Sequence, residues 1–127
     1  MRFTEIELQC EDILWFAIDV NGHIMAFTSG GAGCVPEFVC SNKENTYSLQ
    51  DYFLDEYMPD LKLEEKGLFC YDVNYDDNYG NTYSKTSTPE SPINFNDLPD
   101  KIKELLKLNT LDLNANTSDT IEVKHAY

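Results

Sequence analysis

The chain has 127 residues, 42% of them hydrophobic, and its 23 acidic against 9 basic side chains give a formal net charge of −14. That length makes a single domain over 1–127, with room for one core, and the aromatic-rich composition speaks against disorder. The acidity excludes nucleic acid and anionic membrane as partners, since binding either takes a basic surface; it steers a basic protein toward the chain instead.

No segment approaches the ~20 apolar residues of a membrane span. The opening "MRFTEIELQCED" carries acids where a secretory leader has bases followed by an apolar run. The expectation is a cytoplasmic protein with no membrane partner, in which Cys10, Cys34, Cys40 and Cys70 are free thiols. Those cysteines form no C-x-x-C, and only His23 and His125 could join them, so neither a metal nor a cofactor is expected.

In chain order, the clearest signal is "ILWFAIDV-NG-HIMAFTS". Two β-rich runs flank Asn21-Gly22, a pair suited to a two-residue type I′ turn. That register pairs Phe16 with Phe27, Ile18 with Met25 and Val20 with His23. Both hairpin faces are then largely apolar, which predicts a central hairpin covered on both sides. Pro36 suits the first turn of a short helix through Val39. Ser48 and Asp51 resemble a capping box, and Leu49, Tyr52, Phe53 and Tyr57 make a helical stripe that Met58-Pro59 stops. "GLFCYDV" and "TYSKTST" read as strands joined by the turn "NYDDNYGN". "NDLPDKIKELLK" reads as a last helix capped by Asn96 or Asp97, with Leu98, Ile102, Leu105 and Leu106 as its stripe. "LNTLDL" and "TIEVKHAY" read as closing strands. Without a regular β-α-β rhythm the class is α+β: a mainly antiparallel sheet built on the hairpin, with two or three helices.

Four features invite a functional reading. The corner "TSGGAGCVPEF" lacks the Lys-Ser/Thr of a Walker A loop and the spacing of a dinucleotide fingerprint, so its glycines are read as a backbone device for a tight turn. Cys34, ahead of a helix, is the one candidate nucleophile, yet His23 at the hairpin tip is a strand's length away from it. Asp72, Asn74 and Asp76 match the first ligands of a calcium loop, but Asp77 and Tyr83 stand where Gly and Glu are required. The fourth feature is aromatics interleaved with acids. Tyr71, Asp72, Tyr75, Asp76, Asp77 and Tyr79 are the first candidates for partner binding, and Asp55 and Glu56 on the helix Asp51–Asp60 are the second, because tyrosine offers a large rigid contact with a polar tip.

Asp12 to Val39, "DILWFAIDVNGHIMAFTSGGAGCVPEFV", resembles a pattern in small bacterial proteins, roughly W-F-x-x-D-x-x-G-x-I-A-x-F-T-S-x-G followed by V-P. The matching positions are Trp15, Phe16, Asp19, Gly22, Ile24, Phe27, Thr28, Ser29, Gly31, Val35 and Pro36, with Ala26 one place beyond the alanine of the pattern. The acid- and Tyr-rich strand ahead of "SPINFNDLPDKIKELL" is similar as well, and together they touch about half the chain. Such proteins look like immunity proteins of bacterial toxin systems. The resemblance implies a non-enzymatic binding protein that neutralises a basic toxin, and it carries no catalytic residue to transfer. A small enzyme using Cys34 and a scaffold subunit are the rival readings.

Overall fold

The computed structural model describes residues 1–31, 33–74 and 80–127. Its described elements are α1 (Glu5–Cys10), β1 (Leu14–Ile18), β2 (Ile24–Thr28), α2 (Glu37–Cys40), α3 (Lys43–Gln50), β3 (Phe69–Val73), β4 (Thr82–Ser87), α4 (Asp100–Leu106) and β5 (Thr120–Glu122). A π-helical segment, Asp51–Glu56, runs on from α3, and a 3-10 turn, Phe95–Asp97, precedes α4. The strands form one sheet in the order β1-β2-β3-β4-β5. Every pair is antiparallel except β2 with β3, which the helical crossover makes parallel. The class is α+β, as the mixed rhythm of the chain predicts.

Both faces of the sheet are covered, because β1 and β2 carry apolar side chains on both sides. One face buries Trp15, Ala17, Met25, Phe27, Phe69 and Tyr71 against Leu8 and Val39 of α1 and α2 and against Phe3 and Val35 in the segments leading into them. The other buries Phe16, Ile18, Ile24 and Ala26 against Leu49 and Phe53 and against Leu98, Ile102 and Leu106 around α4. On the first face Trp15 stacks on Phe27 and Phe27 on Tyr71, with centroids 4.0 and 4.9 Å apart. These rings are cross-strand partners on β1, β2 and β3, so the aromatic column is a direct product of register.

That register is one residue away from the expected one. Phe16 pairs with Ala26, Ala17 with Met25 and Ile18 with Ile24. Since side chains alternate with period two, the slip moves Met25 and Phe27 to the face of Trp15. The cause is Asp19. Its Oδ1 accepts from the backbone N–H of Asn21 and of His23, both at 2.8 Å. Asp19 N–H donates to the His23 carbonyl and Gly22 N–H to the Asp19 carbonyl, closing a three-residue loop. Gly22 takes φ 83°, while Met58 is the only described non-glycine residue with positive φ. A type I′ turn needs Asn21 there as well, so the loop is the longer kind that ends on a left-handed glycine.

The hairpin also lies at the β1 end of the sheet instead of its middle, and residues 109–115 run along its outer side. Ile18 N–H donates to the Asn109 carbonyl and Leu111 N–H to the Ile18 carbonyl. Two side-chain amides take the remaining outward carbonyls of β1: Gln50 Nε2 that of Leu14 at 2.8 Å, and Asn109 Nδ2 that of Phe16 at 3.0 Å. "LNTLDL" therefore contributes one bridge, Ile18 with Thr110, and no strand of its own. Of "TIEVKHAY" only Thr120–Glu122 is strand.

The helix expected to start at Ser48 starts at Lys43, and its buried positions Thr46, Leu49 and Phe53 include a polar residue that no apolar period reveals. Beyond Gln50 it widens, and Tyr57 N–H reaches back five residues to the Tyr52 carbonyl at 2.8 Å. The buried Lys66 ammonium donates to the Phe53 carbonyl inside this wide turn.

Candidate functional site

The predicted partner-binding residues separate. Tyr71 is core: it is 1% exposed, stacked under Phe27, and its hydroxyl donates to the Ser118 carbonyl at 3.0 Å. Burial pushes that hydroxyl pKa up, and it offers no surface to a partner. The reason is alternation along β3, which turns Tyr71 inward and leaves its neighbour Asp72 exposed. Tyr75, Asp76, Asp77 and Tyr79 lie outside the described residues. Asp55 and Glu56 are exposed on the π-helical segment.

The glycine corner wraps a tyrosine hydroxyl. Gly30 and Gly31 take φ 64° and 94°. A Cβ on Gly33 would meet the Tyr83 hydroxyl at 2.9 Å and the Ser29 carbonyl oxygen at 2.7 Å. Tyr83 donates to the Cys34 carbonyl at 2.8 Å and accepts from Trp15 Nε1 at 3.3 Å. Gly30 N–H donates to Asp12 Oδ1 at 2.8 Å, which brings a carboxylate, unfavourable to an anion, to the corner. Cys34 is buried, and desolvation pushes its thiol pKa up, away from the direction an activated nucleophile needs. His23 is engaged elsewhere, its Nδ1 donating to Asp19 Oδ2 at 2.9 Å.

Of the calcium-like residues, Asn74 uses its side chain within the sheet, donating to Thr82 Oγ1 and accepting from Ser84 Oγ. Among the described residues no group of three or more His, Cys, Asp or Glu is placed to hold a metal ion. No helix of the described residues is long and apolar enough to cross a membrane.

The most distinctive surface runs from Asp51 to Glu65. Leu54, Met58 and Leu61 are 43%, 48% and 39% exposed, an unusual degree for three large apolar residues so close in the chain. Asp51, Asp55, Glu56 and Asp60 interleave with them. Leu61 then lines an open cleft of about 550 Å³ whose walls include Glu64, Glu65 and Glu90.

Ion pairing is uneven across the molecule. Arg2 grips Glu37 with both guanidinium nitrogens, Lys43 pairs with Glu7, and Lys85, Lys103 and Lys107 pair with Asp119, Asp100 and Glu104. The first two pairs hold the Glu37 and Glu7 carboxyls below the usual range. Among the described residues, Asp51, Asp55, Glu56, Asp60, Glu64, Glu65 and Glu90 have no ion-pair partner. Lys62 is the one exposed base within that stretch.

Sequence reading reached Asp55 and Glu56 and missed the three apolar side chains and the cleft. One signal was available: Leu54 lies off the buried stripe Leu49–Phe53, where an apolar residue has no core to enter. Comparison of the chain with protein-family models, with curated proteins and with solved structures finds no match.

Proposed function

We propose that the chain is a non-enzymatic, cytoplasmic binding protein of the immunity type, which neutralises a basic toxin by covering its active surface. The observation that carries this reading is the division of charge. Five of the nine bases are tied to carboxylates, so most of the acidic excess is left for a partner to meet. The resemblance of Asp12–Val39 to immunity-type proteins points the same way. So does the Cys34 thiol, whose burial disfavours the thiolate.

The reading is tested by co-expressing the full chain with each reading frame beside its gene that arrests growth alone. Restored growth, with the two proteins co-purifying as a stoichiometric complex, is the expected result. A chain that restores growth against none of them is no immunity protein.

A further inference from the structure

The geometry points to one docking face on this protein: the exposed side of Asp51–Asp60 together with the cleft of Leu61, Glu64, Glu65 and Glu90. Its occupant is a cationic segment of a protein partner that carries an apolar anchor between its bases. The inference rests on the reading of the chain as an acidic binding protein, and it names where and how the partner is held.

Three observations converge. First, seven carboxylates here have no ion-pair partner among the described residues, whereas five of the nine bases are committed to acids elsewhere. Lysine or arginine side chains are the complementary charge. Second, Leu54, Met58 and Leu61 are exposed within the same short stretch of chain, which a purely electrostatic contact would not require. They are suited to an apolar side chain, and methionine adapts its shape to the one presented. Third, Leu61 is also a wall of the cleft of about 550 Å³, whose other walls, Glu64, Glu65, Glu90, Thr88, Pro89 and Ser91, are mostly polar. The cleft thus suits the flanking bases, while the exposed apolar side chains suit the anchor. Acids around an apolar centre follow the general plan of an interface, a desolvated middle within a polar rim.

The face is held from inside. Phe53 packs on Phe16 with ring centroids 4.9 Å apart, and Lys66 ties the Phe53 carbonyl. Leu54, Asp55 and Glu56 therefore project from a fixed turn, and less ordering entropy is lost when a partner settles.

The probe is a seven-residue amidated peptide of alternating lysine, leucine and arginine with one central phenylalanine, alongside a control in which serine replaces its apolar residues. Binding to the full chain with 13C-labelled methyl groups is followed by NMR. The first peptide is expected to shift the methyl signals of Leu54, Met58 and Leu61 saturably. The control should bind about tenfold more weakly, since it buries no apolar side chain. Glu64→Gln with Glu65→Gln and Glu90→Gln should weaken the first peptide about tenfold, three exposed ion pairs' worth. The charge-matched set Glu5→Gln, Asp112→Asn and Glu122→Gln should leave it unchanged.

Shifts confined to other methyls, equal affinity for the two peptides, or equal losses in the two variant sets would overturn the docking face. The growth assay separates this from the parent reading. A chain that restores growth but fails here docks by another surface; one that binds as stated but protects against nothing keeps the face and loses the neutralising role.

Discussion

Four N–H groups converge on the Asp19 carboxylate: those of Asn21 and His23 on Oδ1, and those of Ala115 and the His23 ring on Oδ2. Its side chain is fully buried, so desolvation works to raise its pKa, and the donors from Ala115, His23 and Asn21 outweigh that and bring it below the usual carboxylate value. A carboxyl held lower in the folded than in the unfolded chain adds stability that is complete above the unfolded pKa, about 3.9, and is lost as the pH falls through the folded one. Asp19→Asn turns an amide N–H toward groups that are themselves donors and should cost about 1–3 kcal/mol at neutral pH. Urea unfolding of both chains at a series of pH values checks the sign. The difference should be constant down to about pH 5 and shrink below about pH 4, as protonation takes the acceptor from the wild type too. A difference that persists undiminished at pH 2 would mean that the ionised form plays no part.

The wide turn after α3 makes its own demand at the level of the element. A π-helical segment has poorer backbone geometry than the helix it continues, and it persists where tertiary contacts hold it. Here Phe53 is buried below and the Lys66 ammonium binds its carbonyl. Lys66→Met keeps the buried stem and removes the donor, and should cost about 1–2 kcal/mol. Amide exchange tells where that loss falls: Tyr57 N–H, which closes the turn, should exchange about tenfold faster for each 1.4 kcal/mol lost locally, while β2 and β3 amides keep their protection. Uniform acceleration would mean that Lys66 supports the whole core instead. No apolar period in the sequence shows this turn, because what sustains it is a lysine thirteen residues further on. Elements whose cause is local were legible: Pro36 opens α2, and β3 and β4 fall close to where they were expected. Helix α4, by contrast, starts at Asp100 behind Pro99, its expected caps Asn96 and Asp97 lying in the 3-10 turn instead. The capping box of α1 was legible as well, Thr4 and Glu7 each bonding the other's backbone N–H, but that stretch was read only for its charge. The hairpin's existence could be read from Asn21-Gly22, whereas its register could not. The register turns on the Asp19 side chain closing a three-residue loop through the Asn21 and His23 N–H groups, where the Asn-Gly pair by itself suits a two-residue turn. For the candidate site, Asp55 and Glu56 were in reach of composition, while the approach of Glu90 to Glu64 and Glu65 is made only by the fold.

Across the whole molecule, a charge of −14 repels itself. Raising salt should therefore stabilise the chain at pH 7, with Tm rising about 4 °C for each kcal/mol of repulsion screened. Scanning calorimetry between 10 mM and 0.5 M sodium chloride measures it. A falling Tm would show that ion pairs such as those of Arg2 and Lys43 outweigh the repulsion. The same salt should slow a basic partner's arrival more than it speeds its departure, because distant charges guide encounter and buried contacts set residence. The closure of β1 bears on this too. With the Leu14 and Phe16 carbonyls taken by Gln50 and Asn109, and Ile18 bonded to Asn109 and Leu111, the outward carbonyls of β1 are all occupied, and a foreign strand finds no acceptor there. Generic backbone pairing, which would accept nearly any sequence, is thereby opposed at β1 for another copy and for a partner alike. Contacts on that side are thus weighted toward side-chain recognition, and the two amides serve as edge protection built from within the chain.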